Sequence, residues 1–468
     1  MRYSRVNLTE YVSRFIAVAS LGDATPHVLH LAKRSILDGL GLAVAGSRSD
    51  ASEIARNHVG RQSTLGAATV LGRITRSTPR FAAFLNGLAI HADDYDDTQL
   101  ALQRDRVYGL LTHPTAPALP PALALAEQRR ASGADFLLAY LVGVEIETKI
   151  SEALAPRHYE DGFHSTGTVG CFGAAAAAAK LLGFDATTTA VCLGIAGSQA
   201  AGLRENFGTM TKPFHAGRAA EAGVIAADLA LHGFTAARAI LEAPRGFFSA
   251  AGGGYARAQI EGKLGSPWTF ENPGVSIKPH PSGSLTHPGM YAFAELIRKY
   301  DLRPTMVKRI TVGTNKHVPT ALIHHRPQDR FQGKFSLEFC IAILLVDRRA
   351  GLREFTDDTV SRVDVQDVIS RIDMVIHPEA EASGYDAMTT IIDVELVDGQ
   401  KLSTKGAFGK GSPQLPMTDG ELVAKFRDCI EWGGLQSSVT DEVAERVMGI
   451  EREQSLDEVL ARLVPSDA

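Results

Sequence analysis

A mainly α fold is predicted, with a large all-helical domain built from both chain ends and a smaller α+β domain inserted between them. Three observations predict it. Apolar residues recur at steps of three and four through most of the first 270 positions. β-branched runs and a hairpin signal cluster between about 309 and 404. Helical periodicity then returns after Gly406–Pro416. The boundaries fall at 1–273 and 412–468 for the two parts of the helical domain and at 274–411 for the insert.

Thr25-Pro26 reads as a capping residue followed by proline at the first helical position. Leu29, Ala32, Ile36, Leu40 and Ala43 then make one apolar face. Further helices are expected over 78–91, 117–131, 134–153, 165–182, 213–232 and 234–242. Within the fourth, Ala174–Ala179 is a run of alanines, the strongest helix former and small enough to let helices approach closely. It predicts a central helix buried on all sides. The character changes near Gly252-Gly253-Gly254. In the insert, strands are expected at Arg309–Gly313, Met374–His377, Thr390–Val397 and Lys401–Thr404, the last two joined by the turn signal Asp398-Gly399. Helices are expected at 288–299 and 333–348, and again at 421–431, 442–448 and 456–463.

The 468 residues suffice for two or three domains. A net charge of -5 with no basic run argues against nucleic acid or an anionic membrane surface as partner. Cys171, Cys192, Cys340 and Cys429 are too far apart for a Cys-x-x-Cys motif, and a reduced, cytoplasmic protein is expected. The N-terminus lacks the pattern of a secretory signal, and no apolar stretch reaches the ~20 residues that span a bilayer.

Thr112-His113-Pro114, Thr211-Lys212-Pro213 and Thr286-His287-Pro288 each put a basic residue before a proline and a helix-like stretch. A cation at a helix N-terminus is disfavoured by about 0.3–1 kcal/mol. One such placement reads as a solvated turn. Three read as a shared anion site, because helix N–H groups and a lysine together bind carboxylates. A histidine there also stays neutral, as a base should.

Asp93, Asp94, Asp96 and Asp97 crowd into five residues after His91 and repel one another unless something offsets them. A Mg²⁺ site of a terpenoid-type enzyme is one reading, but no second aspartate-rich motif accompanies it. A structural cluster paired with arginines is another. The reading adopted gives Asp94 the task of orienting a histidine or accepting a substrate hydroxyl. His164 lies among glycines and small residues at the start of the alanine-rich helix and is a candidate acid or base. Lys212 and His215 are spaced to share one helical face, with Arg218 a further step of three along. Between Ile277 and His287 a loop at the domain junction carries Lys278, His280, Ser282 and His287, and junctions commonly hold ligands. His324-His325-Arg326 reads as an exposed loop. Nucleotide-binding, phosphate-loop, His-Glu-x-x-His and Gly-x-Ser-x-Gly patterns are missing.

At His91–Thr98, Thr112-His113-Pro114, Gly162–Gly170, Thr211–Arg218 and Ser276–Pro288 the chain resembles the MmgE/PrpD family, over nearly its whole length. That family includes 2-methylcitrate dehydratases, cis-aconitate decarboxylases and iminodisuccinate epimerases. The resemblance implies a helical domain with a smaller lid domain, a homodimer, no metal or organic cofactor, and a small polycarboxylate substrate. A decarboxylase-like pocket pattern falls on Asp94, Thr98, His113, His164, Lys212 and Lys278. Two departures stand out. About ten extra residues, Gln99–Leu110, separate Thr98 from His113, and Gly283 beside Ser282 takes the place of a lid histidine.

The expectation is therefore an enzyme that removes a proton next to a carboxylate. His113, His164, Lys212 and Asp94 are placed as catalytic groups. Thr98, Lys278, His215, His287 and Ser282 are placed as substrate-binding groups. Dehydration ranks first, with decarboxylation and epimerisation beside it. A non-catalytic carboxylate-binding protein is the alternative from another class.

Overall fold

The computed structural model describes residues 7–62, 66–103, 106–384 and 387–465. The alanine run lies at its centre. Ala174–Ala179 sit in the helix Gly170–Leu181, and all six are fully buried. The helices Thr115–Arg129, Gly133–Ala153, Ala186–Gly197 and Thr211–Leu231 pack around it. Small side chains on both partners set the spacing. A Cβ placed on Gly223 would lie 2.5 Å from the backbone carbon of Ala174, so only glycine allows this crossing.

The helix Pro26–Gly46 starts as expected, with Thr25 Oγ1 accepting from the Val28 N–H. It packs on Pro79–His91 and on Asp419–Trp432 from the other end of the chain. A buried ion pair, Lys425 to Asp38 at 2.6 Å, fastens the latter contact. One apolar core thus runs from Leu8 to Ile277 and is completed by Leu352 and residues between Met417 and Leu463.

A second apolar core gathers residues from Leu285 to Leu402. It forms under a sheet ordered Ile372–Ile376, Val307–Thr314, Thr390–Leu396 and Lys401–Gly406. The first pair is parallel and the other two are antiparallel. The hairpin turns at Asp398-Gly399, where Gly399 takes φ 89° and Leu396 N–H donates to Gln400 O at 2.8 Å. The helix His287–Tyr300 packs on the hairpin and on Leu337–Asp347. Where the cores meet, Thr98 and Ser276 exchange two backbone hydrogen bonds of 2.8 Å.

Three local expectations change. Residues 234–242 are not helical. Gly233, at φ 83°, ends the preceding helix, and Ala236 and Ile240 pack instead on the helical core, so tertiary contact overrides propensity. The stretch 165–182 is two helices, Ser165–Thr168 and Gly170–Leu181. At the break Thr168 Oγ1 turns back to the carbonyls of His164 and Ser165. The extra residues before His113 form an antiparallel pair, Gln99–Gln103 with Arg106–Thr112, for which no element was expected. No helix among the described residues is long and apolar enough to cross a membrane.

Candidate active site

The acidic run follows directly from the end of the helix Pro79–His91, and each carboxylate has its own partner. Asp93 meets Lys334 Nζ at 3.0 Å. Asp94 Oδ1 lies 2.5 Å from Lys212 Nζ and 3.2 Å from Lys278 Nζ. Asp96 Oδ2 is 2.8 Å from His91 Nδ1. Asp97 accepts from the Thr115 N–H and hydroxyl, at 3.2 and 2.6 Å. The repulsion expected from sequence is thereby offset at each of the four carboxylates by its own partners.

Asp94 turns the chain at φ 53°, a left-handed conformation that aspartate tolerates. Lys278 holds the turn by donating to the Asp94 carbonyl at 2.8 Å. Lys425 does so one residue on, donating to Tyr95 O at 2.9 Å. Burial works against the Asp94 anion, but the two ammonium groups outweigh it and keep its carboxyl well below the usual range. Asp96 is likewise held low against burial by His91 and His113. Asp97 has no cation beside it, and burial pushes it up to about 7. Burial also makes the Lys278 ammonium more acidic than usual.

Three imidazoles stand next to this turn. His113 Nδ1 is 2.9 Å from the Asp97 carbonyl. A carbonyl only accepts, so Nδ1 carries the hydrogen, and neutral His113 keeps its lone pair on Nε2. Thr98 Oγ1 lies 3.3 Å from the same Nδ1. His164, at the start of Ser165–Thr168, has its Nδ1 3.0 Å from His215 Nδ1. His164 Nε2 is buried with no hydrogen-bond partner among the described residues. His91 stands between them, its ring 4.6 Å from that of His113 and stacked 5.7 Å from that of His164. Burial lowers all three, with the lysines adding to the effect, so each is neutral near pH 7.

Asp94, His113, His164, Arg204, Lys212 and Lys278 line one cavity of about 130 Å³. Its other wall is apolar, with Leu285, Leu322, Ile323 and Phe335. Arg204 stacks 3.7 Å over Tyr159. A larger cleft of about 440 Å³ lies behind a thin partition. Asp93, Pro213 and Lys334 face the cleft, while their sequence neighbours Asp94, Lys212 and Phe335 face the cavity.

The sequence-derived set is thus largely gathered at one place. His113, His164, Lys212, Lys278 and Asp94 line the cavity. Thr98 and His215 stand behind it, bonded to His113 and His164. Ser282 does not reach it. Its hydroxyl is buried against Thr286 Oγ1 at 2.8 Å, because the turn of the chain before His287 points it into the second core. His287 borders a separate cavity of about 50 Å³ that shares Lys278 and Ser284 with the first. Of the three basic-before-proline motifs, two therefore converge. Arg218 pairs with Glu221, away from the cavity.

Sequence reasoning missed His91, Tyr159, Phe207 and Phe335, and gave Arg204 no role. Of these only His91 had a visible signal, its place at a helix end beside the acidic run. His91, Asp94, Asp96 and His113 also bring possible metal-ligand atoms within 4.8 Å of one another. The two carboxylates among them are already engaged by lysines and by His91, which disfavours a further cation there.

Fold and cavity together define a mainly helical protein whose small cavity sets lysines and an arginine beside neutral imidazoles. The MmgE/PrpD N-terminal domain matches residues 10–259 and the MmgE/PrpD C-terminal domain matches residues 280–449, and the chain belongs to the MmgE/PrpD family. It is similar to the cis-aconitate decarboxylase of Homo sapiens, 29% identical over 92% of this chain and 90% of that protein. The cis-aconitate decarboxylase of Mus musculus is 27% identical over 98% and 93%. That of Aspergillus terreus is 28% identical over 98% and 96%.

Proposed function

We propose that the chain is a lyase for a small di- or tricarboxylate that works by proton transfer at a carbon next to a carboxylate, with no cofactor. The observation that carries this reading is the convergence of Lys212 and Lys278 on Asp94, in one cavity with two imidazoles held neutral. A substrate carboxylate takes up the lysine N–H groups that now face Asp94. The same ammonium groups stabilise the negative charge that develops as the reaction proceeds. The smaller, sheet-containing part of the chain acts as the lid over this cavity.

Decarboxylation is the first reaction to test, since the relatives are named for it. There the bond to the departing carboxyl carbon breaks, carbon dioxide leaves, and the electron pair passes into the remaining carbon skeleton under the lysines. A proton from His164, protonated once substrate carboxylates lie beside it, completes the product. Dehydration is the second reading, favoured by the Nε2 lone pair of His113, which suits a base. His113 takes the proton from carbon, the pair forms the double bond, and hydroxide leaves as water with a proton from the Lys278 ammonium.

The test is NMR of the purified protein in D₂O, without added metal, against cis-aconitate, citrate, 2-methylcitrate and malate. A decarboxylated or dehydrated product, or deuterium at carbon, is expected from at least one acid. If all four stay unchanged and none binds, the lyase reading is wrong.

A further inference from the structure

The two walls of the cavity differ in a way that bears on substrate choice. One wall carries Arg204, Lys212 and Lys278 with the single carboxylate of Asp94. That leaves a surplus of two positive charges. Asp96, buried behind this wall, reduces the surplus further. The facing wall is Leu285, Leu322, Ile323 and Phe335, with Gly283 and Ala321 between them. The Thr320 hydroxyl on that side already donates to His317 O at 2.7 Å. The Ser284 hydroxyl donates to Thr98 Oγ1 at 3.2 Å. No cation from the facing wall reaches the cavity among the described residues.

Two of the three cations are also shielded along their length. Lys212 Nζ lies 5.3 Å from the Phe207 ring centre and 5.5 Å from that of Phe335. Arg204 is stacked on Tyr159 and has its Nε buried with no partner among the described residues. The cationic donors are therefore Arg204, Lys212 and Lys278, while Leu285, Leu322, Ile323 and Phe335 offer the cavity apolar side chains. A carboxylate set against leucine, isoleucine and phenylalanine loses its water without gaining a partner.

Resting on the carboxylate-lyase reading, we propose that the cavity selects a dicarboxylate bearing an apolar substituent in preference to a tricarboxylate. Two carboxylates, set cis, can both reach the lysine and arginine wall. The substituent lies against Leu322, Ile323 and Phe335. A third carboxylate would lie against those apolar side chains.

Isothermal titration of the full chain tests this, with 2-methylmaleate, 2-propylmaleate and cis-aconitate compared at one ionic strength. The alkylmaleates are expected to bind at least tenfold more tightly than cis-aconitate, and the propyl compound more tightly than the methyl. Ile323 is largely exposed, so Ile323→Arg leaves the fold intact, and it should shift preference toward cis-aconitate by tenfold or more. Equal or tighter binding of cis-aconitate by the unaltered chain overturns the proposal. If cis-aconitate is also converted, the lyase reading stands and only the selectivity falls. If none of the three acids binds, the selectivity proposal falls, and the D₂O panel with citrate, 2-methylcitrate and malate decides the lyase reading separately.

Discussion

The Nδ1 atoms of His164 and His215 face each other at 3.0 Å, so one imidazole donates to the other and the tautomers of the two rings are coupled. When His215 donates, His164 carries its hydrogen on Nε2, which is buried and unpartnered among the described residues. His215 therefore decides which face of the His164 chemistry the substrate meets. Replacing it, as His215→Ala, should lower kcat by about tenfold with KM little changed, and should move the acidic limb of the pH–rate profile. An unchanged profile would reduce His215 to a packing residue.

Lys212→Ala removes the closer of the two ammonium groups from Asp94. Lys278 remains at 3.2 Å, so Asp94 keeps one cation and the chain should still fold. Turnover should fall by about 10²–10³, in line with loss of one group that stabilises developing charge. NMR progress curves give the rate, and circular dichroism checks the fold. Full activity in a folded variant would remove Lys212 from the mechanism.

Asp97 offers a pH test with a definite sign. Its folded carboxyl is pushed up to about 7 by burial, while the unfolded one titrates near its ordinary value of about 3.9. Between those values the native state holds the extra proton, so this group's stabilisation is lost as pH rises toward 7. Asp97→Asn stays neutral throughout. The melting temperature of the variant relative to the parent should therefore climb from pH 5 to pH 8, and a flat difference would contradict the assignment.

Metal dependence separates the lyase from a Mg²⁺-type enzyme. Asp93, Asp94 and Asp96 each already face a lysine or histidine. Turnover is expected to be the same after EDTA treatment and with millimolar Mg²⁺. A loss with EDTA that Mg²⁺ restores would revive the metal reading.

Gly223→Val tests the central packing. Its Cβ would press on the Ala174 backbone, and that backbone lies inside a helix enclosed by four others. A loss of about 1–3 kcal/mol in urea unfolding is expected from overpacking, with the cavity residues untouched.

Much of this architecture was legible because local chemistry and global packing agree. Thr25-Pro26, the alanine run and Asp398-Gly399 behave as their residue types dictate. Lys212 and His113 were legible because a cation before a helix start is costly without a purpose. His91 was not, since a histidine ending a helix looks the same whether it stacks between two others or faces water. The apolar wall was also hidden. Leu322, Ile323 and Phe335 come from irregular segments whose positions depend on the second core, and no spacing rule links them to Lys212. Ser282 failed for a related reason, because a serine two residues off in a loop points wherever the turn sends it.

Asp94, clasped by both lysines, makes the cavity behave like an ion exchanger. An arriving anion does not fill a bare positive hole. It must trade places with a tethered counter-ion that costs no entropy to bring back. Chloride, with a single point of attachment, competes poorly against such a tether. A ligand whose carboxylates grip two cations at once competes well, so ordinary salts should leave this protein largely unaffected while chelating acids engage it.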